Sequence, residues 1–410
     1  MKVLITTDLY KPQINGVVTS VLNLYDGLKK LGVDVKILTL SKSFTSYKDG
    51  DVYYVKSFPL KLYPDLRASV NISDKILREL IHWKPDIIHT QCEFSTLLFA
   101  KLIATFSKCP IVHTYHTLYE YYIGYLLKHE AFGEKFVRVL VKTLLKNTQA
   151  IIAPTQKVKR NLERFNLNKI IKVIPTGLDF TNSNLEFTNF EREALLKKMN
   201  IDKNDFIMIS LGRVAKEKNI DELIDYFKTF NNEKISFLVV GGGPHLETLK
   251  NYVKDNNVEK IYFTGMVKPD DIHKYYKSAD VFVCASESET QGLTYFEAIS
   301  NGLPLICKKD ECLSEILIDG ETGFYFTNRE EFINSINNLR FDGKLLKNLS
   351  ENAKEVSKSY SKEYFAKSCL ELYKEILMDF KYIPIPIREL YRFRDFTKKA
   401  GRKIRNKLKK

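Results

Sequence analysis

The chain has 410 residues, 44% hydrophobic and 28% charged, with a formal net charge of +14. That length exceeds the usual size of a single core and predicts two domains, and the composition excludes an intrinsically disordered polymer. No window offers the roughly 18 or more uncharged apolar residues of a spanning helix, and the opening MKVLITTDLY lacks a signal peptide's apolar core, so a cytosolic protein is expected.

The charge is unevenly placed. Residues 381–410 hold twelve Lys/Arg against Glu389 and Asp395, a net +10 of the total +14, so the basicity belongs to a tail and not to the fold. The six cysteines (92, 109, 284, 307, 312 and 369) show no C-x-x-C spacing and several sit in apolar strand runs. Core thiols in a reducing compartment explain them better than zinc or disulfides.

In chain order, KVLITT (2–7) reads as a first strand, and the helical pattern VVTSVLNLYDGLKKLG closes on Gly32. VDVKILTL (33–40) returns as a strand, and the resulting β-α-β unit predicts an α/β fold with a parallel sheet covered by helices on both faces. Gly16 lies at the first strand-to-helix turn, where a missing side chain lets the backbone approach a phosphate; loop geometry alone explains it as well. The loop is not G-x-G-x-x-G, and no dinucleotide site is expected. Asp49-Gly50-Asp51 has the form of a D-x-D metal signature but falls where Asp-Gly is an ordinary turn, so no metal is expected.

DIIHT (86–90) and PIVHTYHT (110–117) are strand-like and end in polar residues, where a doubly wound sheet places ligands. His116 follows the second of them. Residues 134–147 set Lys135, Arg138, Lys142 and Lys146 at helical spacing beside a broad apolar face, which suits a membrane-surface helix and a core helix with a solvated edge equally well. QAIIAPT and KIIKVIPTGLD close the first lobe, and the polar stretch from Asp179 to Thr188 reads as a linker.

The alternation restarts with FIMISLG (206–212), ISFLVVGGG (235–243), KIYFTG (260–265), DVFVCA (280–285) and PLIC (304–307). Arg213 and Lys218, in GRVAKEKN, are placed to neutralise a diphosphate, although a solvated charged loop has the same spacing. Gly241 and Gly242 end a strand and allow close approach of a nucleotide. In CASESETQGLTYFEAISNGLP (284–304) a strand delivers a loop to a helix start, with Glu289 and Glu297 separated by seven residues. Amides around Thr290, Gln291, Gly292 and Leu293 would hold phosphate or sugar oxygens at the positive end of the helix dipole. Two carboxylates for hydroxyl-rich groups on either side of a diphosphate describe a nucleotide-sugar, whereas a lone E-x7-E also fits an ordinary turn.

Glu289 and Glu297 match the E-x7-E signature of retaining family 4 glycosyltransferases. INGVV (14–18), HTYHT (113–117), GRVAKEKN (212–219), VVGGGP (239–244), SADVFVCAS (278–286) and GLPLIC (302–307) match in order. Over roughly residues 1–378 the chain resembles that family, and HTYHTLYEYYIGYL is similar to its bacterial 1,2-diacylglycerol 3-glucosyltransferases. The resemblance implies a GT-B fold, two Rossmann-like domains facing a cleft. The acceptor side would be 1–180, the linker 181–200, the nucleotide-sugar side 201–360, a helix crossing back 361–380 and a basic aromatic tail 381–410.

It further implies transfer of a hexose, glucose from UDP-glucose, to diacylglycerol, with no tightly bound cofactor and no metal. Arg213 and Lys218 would stabilise charge on the leaving diphosphate, Glu289 would orient the sugar, Glu297 the ribose, and His116 the sugar's far hydroxyls. Thr290-Gln291 replaces the family's small residue and Phe, which leaves glucose versus galactose open. In the tail, Tyr391, Phe393 and Phe396 interleave with Arg388, Arg392, Arg394, Lys398 and Lys399. That pattern suits an anionic membrane surface and a peripheral location on the inner face of the cell membrane. The alternatives are another lipid or polysaccharide acceptor, a nucleotide-sugar epimerase of the same fold, and a nucleic-acid binder using the tail. The last leaves the E-x7-E, Arg213 and Lys218 set unexplained, so no nucleic acid is expected as a partner.

Overall fold

The structure is a computed structural model that describes residues 1–59, 67–117, 130–181, 185–231, 233–386 and 395, with side chains of 130–136 left aside. Apart from Lys381 and Tyr382, the tail's aromatic and cationic residues lie outside the described residues, as do positions 118–126 of the HTYHTLYEYYIGYL match. The chain divides into two compact units, one of Met1–Gly177 with the segment from Lys362 onward, the other Leu178–Ser361.

In the first unit the strands are β1 (Lys2–Thr6), β2 (Asp34–Leu40), β3 (Tyr47–Asp49), β4 (Val52–Val55), the short pair β5 (Phe58–Pro59) and β6 (Arg67–Ala68), β7 (Ile87–Thr90), β8 (Ile111–Thr114), β9 (Ala150–Ala153) and β10 (Ile170–Val173). The main sheet runs β10-β9-β8-β7-β1-β2-β4-β3, parallel except for β3 against β4. Val3, Leu4 and Ile5 of β1 are all fully buried, because helices cover both faces of a parallel sheet and no solvent side remains for polar alternation. Helix α1 (Gly16–Lys30) starts where the Asn15 side chain accepts from Val18 N, and it ends before Gly32, whose φ is +75°. Gly50 (φ +55°) turns β3 into β4, and the Asp51 carboxylate is taken by the Tyr25 hydroxyl (2.8 Å) and Lys29 (2.9 Å). Asp49-Gly50-Asp51 is therefore a hairpin turn.

Helices α2 (Lys75–Trp83), α3 (Ser95–Ser107), α4 (Glu130–Leu144) and α5 (Gln156–Glu163) complete this part of the unit. Val137, Leu140, Val141 and Leu144 of α4 pack with Leu97, Leu98 and Ile151 in one core cluster, while Arg138 and Lys142 stay exposed. Of the two readings of this stretch, the core helix with a solvated edge is the one observed.

The second unit contains β11 (Phe206–Leu211), β12 (Ile235–Val240), β13 (Ile261–Phe263), β14 (Val281–Cys284), β15 (Leu305–Lys308) and β16 (Gly323–Phe326) in the all-parallel order β13-β12-β11-β14-β15-β16. This is the doubly wound 3-2-1-4-5-6 arrangement, whose direction of winding reverses between β11 and β14. Helices α6 (Asn189–Lys198), α7 (Ile220–Phe227), α8 (Leu246–Asp255), α9 (Ile272–Ser278), α10 (Leu293–Ser300), α11 (Arg329–Phe341) and α12 (Gly343–Ser357) flank it. Much of the stretch 181–200, expected as linker, is thus α6, opened by a capping box between Thr188 and Glu191.

The last helix, α13 (Lys362–Asp379), returns to the first unit. Its Phe365, Ala366, Cys369, Leu372, Tyr373 and Ile376 share a core cluster with Val3, Ile5, Val21 and Leu24. Gly27 of α1 makes the fit possible, since a Cβ there would lie 2.5 Å from Ala366 Cβ.

Candidate functional site

Loops leaving the carboxyl ends of β11 and β14 meet where the winding of the second sheet reverses, the place at which open α/β sheets bind ligands. The β11 loop runs through Gly212 and Arg213 into a 3-10 turn, Lys216–Lys218. Asn219, in the left-handed region at φ 50°, donates from Nδ2 to Ala285 O at 3.1 Å and fastens this loop to the one after β14. Lys218 is thereby brought to Glu289, 71 positions away, and its ammonium donates to Oε1. The two side chains are only 25% and 15% exposed. Desolvation pulls the Lys218 pKa down, but the Glu289 carboxylate outweighs it and holds that pKa above its ordinary value. Arg213 forms a more exposed ion pair with Glu217.

Gly292 precedes α10 at φ +71°, and a Cβ there would lie 2.3 Å from the Tyr295 ring. As cap it brings no side chain to the first-turn amides, so Thr290, Gln291, Gly292 and Leu293 form a backbone-lined approach to the helix start. Gln291 is buried. One turn into α10, Glu297 Oε2 accepts from the buried Tyr276 hydroxyl at 2.9 Å. Burial raises the Glu297 pKa to about 7, with the Tyr276 hydrogen bond pulling the other way.

Gly241 and Gly242 follow β12 beside the same loop. A Cβ on Gly241 would sit 1.9 Å from Gly212 O, so backbone packing demands glycine there independently of any ligand. At Gly242 the corresponding neighbour is the flexible Met266 side chain, 2.7 Å away at Cγ.

The other two expected residues, Gly16 and His116, belong to the first unit. There the loops after β1, β7 and β8 leave the carboxyl edge of the sheet, and the order reverses between β1 and β7. Gly16 opens α1, and His116 Nε2 lies 2.6 Å from Gln91 Oε1. Burial depresses the His116 pKa to about 4; Glu93 opposes that shift and His113 adds to it, so the ring is neutral at neutral pH. Asp8, after β1, accepts from Thr96 N at 2.8 Å and caps α3, whose own cap residue Phe94 makes no side-chain bond. Burial, with Glu93 adding its charge, raises the Asp8 carboxyl to about 6.

Asp8, Gln91, Glu93 and Tyr276 were not singled out from the sequence. The first three follow strands directly, a usable signal only once β7 is known to lie beside β1.

A family model described as Glycosyltransferase Family 4 matches residues 14–182, and one described as Glycosyl transferases group 1 matches residues 191–356. The chain is 32% identical over 393 residues to the alpha-monoglucosyldiacylglycerol synthase of Acholeplasma laidlawii, covering 92% of this chain and 98% of that one. It is 33% identical to the enzyme of the same name from Streptococcus pneumoniae, over 82% and 77% of the two chains. The solved structure of Anabaena HepE in complex with UDP and glucose superposes with a TM-score of 0.72 at 16% identity, covering 92% of this chain and 100% of that one. Sucrose-phosphate synthase from Thermosynechococcus elongatus gives 0.71 at 18%, with the same coverage. The two family models follow the two units, and the chain belongs to glycosyltransferase family 4, an enzyme of GT-B fold.

Proposed function

We propose that the chain transfers glucose from UDP-glucose to the free hydroxyl of diacylglycerol with retention of the anomeric configuration, forming a membrane glycolipid. The observation that carries the donor half is the Lys218–Glu289 pair at the winding reversal, which sets a diphosphate-neutralising cation against a hydroxyl-binding carboxylate. The acceptor half is supported by the names of the Acholeplasma and pneumococcal relatives.

The acceptor hydroxyl attacks the anomeric carbon as the bond to the diphosphate oxygen breaks, and the leaving diphosphate takes the acceptor's proton. Arg213, Lys218 and the amides from Thr290 to Leu293 stabilise the charge that develops there, in place of a divalent ion. Glu289, held by Lys218, orients the sugar; Glu297 accepts from the ribose hydroxyls; His116 binds the sugar's far hydroxyls. Gly16 and Gly242 give backbone access to the donor.

A donor-by-acceptor screen in lipid micelles with EDTA present, with the product anomer read by NMR, tests this. The expected product is α-glucosyl-diacylglycerol from UDP-glucose. A β-linked product, a soluble acceptor outrunning diacylglycerol, UDP-galactose outrunning UDP-glucose, or activity only after magnesium is restored would each overturn the corresponding part.

Glu297 gives a pH dependence with a definite sign. Burial pushes its carboxyl up to about 7, and below that the proton turns one of its oxygens from an acceptor into a donor, weakening its hold on the ribose hydroxyls. Donor kcat/KM should therefore fall as pH drops through about 7, and Glu297→Gln should flatten this limb at a lower ceiling. The raised folded pKa also means that stability is lost as pH rises from the unfolded value through 7, and Glu297→Gln removes that loss. An acid limb that survives the substitution would assign the titration elsewhere.

We place the enzyme at an anionic membrane surface through residues 381–410. The Tyr382 hydroxyl donates to Thr105 O (3.0 Å) near the end of α3, and Lys101 of α3 donates to Leu144 O (2.8 Å) at the end of α4. The segment before the basic tail thus packs against α3, which is itself tied to the end of α4, the helix that exposes Arg138, Val139 and Lys142. Each cation near such a surface contributes about 1 kcal/mol at most. Deleting 387–410 spares the Tyr382 and Ile385 contacts, and should lower activity on vesicle-borne diacylglycerol in phosphatidylglycerol vesicles more than donor hydrolysis. Salt should weaken binding of the full chain. Equal binding of full-length and shortened protein to anionic and neutral vesicles would remove the tail from the membrane.

A further inference from the structure

A buried chain of polar side chains leads from His116 through the first unit to the returning helix. His116 Nε2 meets Gln91 Oε1 at 2.6 Å, and the Ser20 hydroxyl donates to the same oxygen at 3.3 Å. At its other end the Gln91 amide nitrogen lies 3.1 Å from His89 Nε2. Thr114 Oγ1 also approaches His89 Nε2, at 2.6 Å, and His89 Nδ1 lies 2.5 Å from the hydroxyl of Tyr373 on α13. Gln91, His89, Thr114 and Tyr373 are all essentially inaccessible, so water cannot substitute for a missing partner.

Donor and acceptor roles follow along this path. An amide oxygen only accepts, so His116 carries its proton on Nε2 and keeps Nδ1 as its acceptor. The amide NH2 only donates, so His89 Nε2 accepts and His89 Nδ1–H donates to Tyr373. His89 is held neutral by burial, with His113 and His116 adding to the effect, as this pattern requires. Gln91 itself is fixed where β7 ends by its backbone N–H to Thr6 O at 2.8 Å.

We propose that Gln91 is a positioning residue for the transfer reaction, fixing the tautomer and ring angle of His116 through its amide oxygen, while His89 and Tyr373 fix the direction of the amide. This rests on the reading of His116 as a sugar-binding residue. An imidazole that must meet a sugar hydroxyl in one donor or acceptor sense gains from having the other sense made unavailable before substrate arrives.

The test compares His116→Ala, Gln91→Leu, their combination, and Gln91→Glu in kcat and donor KM, with 15N-histidine NMR of the ring nitrogens. Gln91→Leu should lower kcat on the order of tenfold to a hundredfold with a smaller change in KM. It should add little to His116→Ala, because it acts through that ring. The His116 nitrogen shifts should move away from the single Nε2–H pattern of the wild type. Gln91→Glu keeps an accepting oxygen and adds charge beside a ring that already faces Glu93 and His113. It should retain the His116 tautomer while raising the pH at which the His116 ring nitrogens titrate, and recover part of the kcat lost in Gln91→Leu. If Gln91→Leu does not fold, Gln91→Glu carries the test together with Tyr373→Phe, which spares the amide contact and should give a smaller fall of the same kind. Wild-type kcat and unchanged nitrogen shifts in Gln91→Leu, or in its absence an unmoved His116 ring titration in Gln91→Glu, would overturn the proposal, as would losses that multiply in the double variant. Full turnover in His116→Ala would instead sink the sugar-binding role of His116, with the nitrogen spectrum still deciding what Gln91 holds.

Discussion

Replacing Lys218 with alanine is expected to lower kcat by about 10²–10³-fold, the scale on which removal of one preorganised charge-stabilising donor acts. The lysine sits in the 3-10 turn after β11 and is three-quarters buried against Glu289, so no solvent cation can take its place at a diphosphate. The loss should be independent of pH across the neutral range, because Glu289 keeps the Lys218 ammonium charged throughout. Lys218→Arg retains charge but not the compact geometry and should recover only part of the rate. Glu289→Ala should cost as much, since it removes the sugar-orienting carboxylate and leaves a mostly buried cation unpaired. Circular dichroism and steady-state kinetics check both, and near-normal turnover in a folded variant would take that residue out of the site.

Gly241→Ala is expected to destabilise the second unit by about 3–5 kcal/mol, at the upper end of what single substitutions do. Two costs add. The residue sits at φ +131°, where side chains are strained, and the new methyl would lie 1.9 Å from Gly212 O and 2.9 Å from Gly212 C. Backbone cannot swing aside as a side chain can, because Gly212 N is bound to Val240 O (2.9 Å) and Val214 N to Gly242 O (3.0 Å). Relief requires moving the loop that carries Arg213 and Lys218, so activity should fall with stability. Gly242→Ala clashes with the Met266 side chain but meets its backbone N only at an ordinary 3.5 Å, and should cost far less stability. Urea unfolding of the two variants side by side checks the contrast, and equal midpoints would refute it.

Much of this was legible from local pattern. The β-α alternation gave most strands of both sheets, though not β3 or β16, and E-x7-E with GRVAKEKN singled out residues that the second unit brings to one edge. Pairings across distance were not legible. That Lys218 meets Glu289 depends on β14 lying beside β11, a consequence of strand order that no local window contains. Tyr276 reads as one more aromatic of a helix until its hydroxyl is seen on Glu297. The linker was drawn too long because α6 buries only Leu196 and so lacks an apolar stripe, although its capping box was present in the sequence as Thr188-x-x-Glu191. That backbone packing also demands glycine at 241 was not legible, because a sequence cannot show that another backbone fills the space beside it.

The return of α13 to the first unit also bears on how the polypeptide is made. When residues 1–177 have emerged from the ribosome, the sheet they encode still lacks Phe365, Cys369, Leu372, Tyr373 and Ile376 on one face. The second unit is contiguous and can finish folding first, reversing the usual N-terminal-first order of synthesis. An N-terminal fragment expressed alone should expose that apolar face and aggregate, and supplying α13 in trans should rescue its solubility. The Tyr373 anchor of the His116 network is correspondingly among the last native contacts to form on a nascent chain.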